Sequence, residues 1–398
     1  MNGRQIIRVA SESSVYEVEL RDKISFIRGD SGTHKSLFVD LVYDWVYEQN
    51  RTTITLVASS DVFVLSDYVN VASFISQVNN VRNSIVVVDE NNNKYIGNEQ
   101  FVKAVRSSDC YFVIISRHIP ANLAVSTKAI YEFKREVRDG VEYFSNSILY
   151  STNASIQDLE SICSVIVEDE KSGLHFLRNV FGSSANVISA NGNFSIKNAL
   201  RSVYRALVND DKTVDGIILV VADGAAFGAV IESLFVRMAR FTKRRIVLWL
   251  PVCFEEVILK TGEFDKYCYN DIKVSSILCE PFNYINFEET LSYERYFYRV
   301  LVDVSSKKAK DLGSIEYQYR KSDKGYGKYY LSNHFTDRLR NTVANLLSSG
   351  ESRVCPLCGA DLSESGLCTN LLCNYKRDNE QKLEMDKDLA ERLEMLLE

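Results

Sequence analysis

Three groups of residues have the types and spacing to do chemistry. The first is Gly29-Asp30-Ser31-Gly32-Thr33-His34-Lys35-Ser36, a small-residue loop that ends in a Lys-Ser pair. At the start of a helix such a loop turns backbone N–H groups toward phosphate oxygens. The Lys then reaches the β- and γ-phosphates, and the Ser hydroxyl binds Mg²⁺. The second group is Asp89-Glu90, which closes the apolar run 84–88. The third is Cys355, Cys358, Cys368 and Cys373, four thiolates in one short stretch and the donor set of a closed tetrahedral Zn²⁺ site.

The neighbouring elements decide whether these groups can be positioned. Ile24, Phe26 and Ile27 predict a buried strand before the loop, and Leu37 to Tyr47 predict a helix after it. Residues 84–88 read as a parallel strand buried on both faces, which sets Asp89 and Glu90 at the sheet edge where ligands bind. Gly29, Lys35 and Ser36 match the P-loop pattern, and the chain resembles P-loop ATPases. That resemblance implies ATP and Mg²⁺ as ligands, Lys35 and Glu90 in catalysis, and Gly29 to Ser36 with Asp89 around the nucleotide. His34 stands where the pattern has Gly, and its side chain is expected to crowd the turn, with Gly32 keeping some freedom. By the same resemblance the next strand, 110–116, would end in a residue that senses the γ-phosphate, Ser116 or else Arg117. The alternative at 84–90 is a core strand that ends in a solvated acidic turn, and at 110–116 a strand that simply ends at the surface.

At 398 residues the chain is expected to form two or three domains. Apolar content of 46% and charged content of 25% are those of a soluble globular protein and exclude a low-complexity or fibrous chain. A net charge of −6, with Lys and Arg scattered, argues against a nucleic-acid surface over the whole molecule. The densest basic patches, 243–245 and 307–310, read as solvated helix ends. With neither a leader pattern nor an 18-residue apolar stretch, a cytoplasmic protein that makes no use of a membrane is expected. Cys110, Cys163, Cys253, Cys268 and Cys279 are isolated and read as small buried hydrophobes, a usage that suits a reducing compartment.

A second α/β unit is predicted from about residue 155. Its strands are 164–167, 187–190, 216–222 and 246–250, and its helices lie at about 171–181, 195–209 and 226–241. Glu168 and Asp223 each end a strand, and carboxylates at the C-terminal edge of adjacent parallel strands suit a divalent metal. In the order of its motifs, VEDEKSG at 167–173, ANGN at 190–193 and DGAAFG at 223–228, this unit resembles the Toprim domain. That domain occurs in primases, topoisomerases and ATPase-linked nucleases of the overcoming-lysogenization-defect type. The resemblance implies Mg²⁺-dependent phosphodiester cleavage at Glu168 and Asp223, with Glu170, Glu255 or Glu256 helping. Ala225 replaces a second Asp, and Gly173 stands where an acid often sits, so a catalytically silent Toprim fold is the alternative.

The expected organisation is therefore α/β: a P-loop NTPase sheet at 1–150, a Toprim-like domain at 155–285 and a mostly helical extension at 286–350. A zinc ribbon at 351–376 and a C-terminal helix at 377–398 follow. An iron centre or a labile disulfide pair are the alternatives to zinc at the four cysteines. The ribbon, or the apolar stripe of the last helix, would contact a protein partner, DNA or a second copy of the chain. ATPase and Toprim together imply ATP-dependent DNA processing in phage defence or mobile-element biology. A non-nucleolytic, nucleotide-switched binding module is the second reading.

Overall fold

Alternating burial drives the first strands: Ile7 and Val9 of β1 (Gln5–Ala10), and Val18 and Leu20 of β2 (Ser14–Leu20), point into the core while their neighbours face outward. The computed structural model describes residues 3–28, 34–48, 53–65, 70–150, 156, 158–170, 172–209, 216–238, 241, 245–287, 292–321, 327–328 and 333–348. The fold is α/β. After β2 come β3 (Ile24–Ile27), α1 (Lys35–Glu48), β4 (Thr55–Ala58), β5 (Asp61–Leu65), α2 (Val71–Asn80) and β6 (Ser84–Val88). They are followed by α3 (Asn93–Ile96), α4 (Glu99–Ser107), β7 (Tyr111–Ile115), β8 (Ile130–Arg138) and β9 (Val141–Ile148).

These strands make one nine-stranded sheet in the order β4-β1-β2-β9-β8-β3-β7-β6-β5. The five strands from β8 to β5 run parallel, whereas β1 pairs antiparallel with β2 and β4, and β8 with β9. Every residue of β6 and β7 is buried, as expected for strands covered on both faces. Residues 61–82 divide between β5 and α2. Val62 to Leu65 pair in register with Ile85 to Val88, and the helix begins only at Val71, where Asn70 caps it by accepting from the Ser73 N–H at 2.9 Å.

The second unit follows the predicted alternation closely. It contains β10 (Ile162–Val167), α5 (Ser172–Phe181), β11 (Asn186–Ser189), α6 (Ile196–Asn209), β12 (Ile217–Val221), α7 (Gly228–Met238), β13 (Ile246–Trp249) and α8 (Phe254–Leu259). Its four strands form a parallel sheet in the order β11-β10-β12-β13. A small hairpin of β14 (Cys268–Tyr269) and β15 (Ile272–Lys273), then α9 (Val274–Cys279), α10 (Tyr293–Leu312), the pair β16 (Arg320–Lys321) and β17 (Gly327–Lys328), and α11 (Asn333–Ser348) complete it. The helices α10 and α11 pack on α8, and α11 also packs on α5.

The two sheets share their cores. Both hydrophobic clusters contain residues from each unit: one joins Ile7 and Val113 to Val165 and Tyr296, the other joins Phe26 and Ile114 to Ile166 and Leu248. Tyr111 meets Phe287 edge-on at 5.8 Å, and the Tyr293 hydroxyl donates to the Arg21 carbonyl. Within the patch 307–310, Lys308 is not a solvated end but buried, paired with Glu263. Cys110 and Cys253 are buried as expected, whereas Cys163, Cys268 and Cys279 are half-buried, and none of the five is in a disulfide. Among the described residues no helix is long and apolar enough to cross a membrane.

Candidate functional site

The first candidate site lies at the C-terminal edge of β3, β7 and β6. Gly29, Asp30, Ser31, Gly32 and Thr33 lie outside the described residues, as do Cys355, Cys358, Cys368 and Cys373 with the whole of 349–398. Lys35 is the first residue of α1 and is buried, while Ser36 after it is exposed. His34 resolves the expected crowding differently. Its backbone sits at φ 57°, the left-handed conformation that glycine adopts freely and other residues reach at a cost of about 1 kcal/mol. The strain is held in place by the Tyr16 hydroxyl, which donates to the His34 carbonyl at 3.0 Å, and by the imidazole packing 5.0 Å from the Phe144 ring. His34 thus supplies glycine's backbone geometry, and its ring packs against β9.

Two strands from β3, Asp89 caps a short turn. Its carboxylate accepts the Glu90 N–H at 2.7 Å and the Asn91 amide at 2.7 Å. Glu90 is paired with Arg117 from the end of β7 at 3.0 Å. Ser116 is fully buried, and its hydroxyl donates to the His118 carbonyl at 2.7 Å and accepts the His118 N–H at 3.1 Å. That hydroxyl is used up by its own turn, so of the two predicted sensors Arg117 is the one that faces Glu90.

The second candidate site is an acidic cluster at the C-terminal edge of β10 and β12. Glu168 follows β10, and its Oε2 accepts the Asp223 N–H at 3.0 Å across the strand ends. The Asp223 Oδ1 is sealed from solvent and has no hydrogen-bond partner among the described residues, although the residue as a whole keeps some exposed surface. Burial pushes Glu168 up to about 7. Asp223 is held well above the usual carboxylate range, first by burial and then by repulsion from Glu255, Glu168, Glu294 and Asp169. Burial also raises Glu255, whose Oε1 accepts the Tyr319 hydroxyl at 2.8 Å.

Searches against protein-family models, curated proteins and solved structures find no match.

The remaining expected residues sort by contact. Glu256 is buried but belongs elsewhere: its carboxylate accepts the Val252 N–H and pairs with Lys260 at 2.9 Å. Burial opposes its charge, yet Lys260 and Lys128 outweigh it and hold the group below its ordinary value. Glu170 is exposed. Asp169, unremarked in the sequence, caps α5 by accepting the N–H groups of Gly173 and Leu174 at 3.3 and 3.2 Å. Gly173 lacks a side chain for a packing reason, because a Cβ there would lie 2.4 Å from the Phe254 ring. Ala225 is buried in the core, and its N–H donates to the Val252 carbonyl at 3.1 Å, so the second Asp of the Toprim pattern has no solvent-facing place here.

Mg²⁺ is the ion to test against this chemistry. Oxygen donors and an unneutralised buried carboxylate suit it, and Mg²⁺ is commonly held by only one or two carboxylates with water completing the shell. Glu168 and Asp223 are the two carboxylates placed to hold such an ion. Among the described residues no three His, Cys, Asp or Glu side chains converge as a ready-made ligand set. Glu255 and Glu294 contribute charge to the site rather than a third ligand.

Proposed function

We propose that the chain binds and hydrolyses ATP at the edge of β3 and α1, and that its second unit holds Mg²⁺ at Glu168 and Asp223 for phosphodiester chemistry on DNA. The observation that carries this reading is the strand order β8-β3-β7-β6-β5. From β3 the chain passes through α1 and β4, at the far edge of the sheet, to β5, β6 and β7 on one side of β3, and then goes to β8 on the other. In open parallel sheets, ligands bind at such a reversal, outside the carboxyl ends of the strands. With strands about 4.8 Å apart, Asp89 and Glu90 stand about 10 Å from the loop strand, the span of a phosphate chain with its metal. Lys35 would neutralise the β- and γ-phosphates, Ser36 and Asp89 would hold Mg²⁺, and Glu90 would orient water. The Arg117–Glu90 pair is partly solvated and worth under about 1 kcal/mol, so an arriving γ-phosphate can claim Arg117 and release Glu90.

Calorimetry of Mg²⁺-ATP with the intact protein, Lys35→Ala and Glu90→Gln tests the first site. Binding is expected in the wild type, lost in Lys35→Ala, and kept in Glu90→Gln with hydrolysis reduced about 100-fold or more. Absence of heat with the wild type would overturn the ATP reading. For the second site, Mg²⁺- or Mn²⁺-dependent DNA cleavage should disappear in Asp223→Ala, and cleavage that survives would sink the assignment.

The buried Ala225 favours a second reading, in which the Toprim-like unit is silent and the chain is a nucleotide-switched module. In that case the four C-terminal cysteines, with Zn²⁺, would form a structural ribbon that recruits a partner. An intact ATP site without any metal-dependent cleavage would select it.

A further inference from the structure

The residue that follows β3 is tied to the second unit. β3 ends at Ile27, and Arg28 comes next. Its guanidinium is buried and forks between two partners. One Nη donates to the Tyr150 hydroxyl at 2.6 Å, and the other donates to Glu232 Oε2 on α7 at 2.9 Å. Its backbone N–H donates to the Tyr131 carbonyl of β8 at 2.7 Å.

Helix α7 is gripped along one face. Gly228, at its start, donates to the Val125 carbonyl at 2.9 Å, so closely that a Cβ at 228 would lie 2.7 Å from that oxygen. Glu232 stands four residues on, and Phe235 one further turn along the same face, stacked on Tyr150 at 5.8 Å. The same helix begins five residues after Asp223. One short connection therefore joins the end of β3, through Arg28 and α7, to the strand end that bears the acidic cluster.

We propose that Arg28 is a positioning residue that couples nucleotide occupancy at the β3–α1 edge to α7, and through α7 to Asp223. The inference rests on the ATP reading above. A planar guanidinium that makes two directed bonds, one of them charge-assisted, transmits a small displacement of its backbone to both partners. The arrangement also leaves something to gain. Arg28 Nε is buried and without a partner among the described residues, and a buried donor left unpaired is costly. A displacement of Arg28 that lets Nε pair would shift α7 as the fork reorients.

The test is hydrogen exchange at residues 228–238 in the full chain, with and without Mg²⁺ and a non-hydrolysable ATP analogue. Calorimetry on the same samples runs beside it for wild type, Glu232→Gln, Tyr150→Phe and Arg28→Lys. In the wild type the analogue is expected to slow exchange in α7 about fivefold, at the lower end of ordinary coupling. Glu232→Gln and Arg28→Lys should still bind the analogue and lose that response, the Lys because it keeps the charge without the fork. A merely structural role would lower the melting temperature of these variants and leave the response intact. A wild type that binds with unchanged exchange in α7, or variants that respond as it does, would overturn the coupling alone. Absence of binding heat in the wild type would overturn the ATP reading and the coupling with it.

Discussion

At the scale of the residue, the acidic cluster stores charge at an energetic cost that pH reveals. Glu168 is raised to about 7 by burial, and Asp22, in the cleft between the units, is also raised to about 7, first by burial and against the opposing pull of Lys128 and Arg21. Between the ordinary carboxylate range and pH about 7 the folded protein therefore holds protons that the unfolded chain has released. Stability must then fall as pH rises through that window, being greatest below the unfolded values and lost once the folded groups ionise. The expected result is a melting temperature that declines from pH 5 to pH 7.5, with a shallower decline in Glu168→Gln. A flat profile in the wild type would show that these carboxyls are solvated and ionised throughout. Mg²⁺, which needs ionised ligands, should recover part of the loss at high pH in the wild type and less in Glu168→Gln. Glu168 and Asp223 were legible in the sequence because each follows an unbroken apolar run. Glu294 was not, since its segment reads as an aromatic packing helix, and α10 is indeed one, with Tyr296, Phe297 and Val300 buried. Its membership comes only from where the chain returns in three dimensions.

At the scale of the element, strands and helices followed period and punctuation, while what failed was non-local. The alternation of the second unit was predicted almost strand for strand, because parallel strands covered on both faces give continuous apolar runs. The β8–β9 hairpin had a local signal too, Asp139-Gly140, both residues at positive φ as a two-residue hairpin turn demands. Its strands are largely exposed and mixed in character, with no apolar run to announce them. The turn at 223–226 shows why motif matching at Ala225 could not be settled from sequence. Gly224 and Ala225 donate to the carbonyls of Pro251 and Val252, which draws β12's exit onto the β13–α8 loop and buries the Ala225 methyl. Restoring the motif with Ala225→Asp should therefore destabilise the protein by about 3 kcal/mol or more, as an unpaired buried charge next to other carboxylates does. Denaturant unfolding with and without Mg²⁺ checks it. Stability restored by Mg²⁺ alone would place position 225 at a cation site and refute the packing explanation.

For the whole molecule, the question is whether two α/β units behave as one. Chains with several domains commonly unfold in steps, because each core can be lost without disturbing the other. Here neither core closes by itself. Removing the second unit would strip Phe287 and Tyr293 from Tyr111 and Arg21, expose the Val125 carbonyl that receives Gly228, and leave the Arg28 guanidinium buried without Glu232. Removing the first would uncover the same contacts from the other side. Residues 3–348, so far as they are described, should consequently melt in a single calorimetric transition whose van't Hoff and calorimetric enthalpies agree. Ligand linkage then separates cooperativity from coincidence. A nucleotide that binds only the folded state adds RT ln(1 + [L]/Kd), about 2.7 kcal/mol at a hundredfold excess over Kd, and in a single cooperative unit that gain raises the entire transition. Mg²⁺-ATP should move the whole endotherm upward in the wild type and leave Lys35→Ala unmoved. If ATP instead split the endotherm, raising one part while the other stayed, the units would be thermodynamically separate despite their shared clusters, and the contacts across Arg28 and Tyr293 would count as surface docking rather than common core.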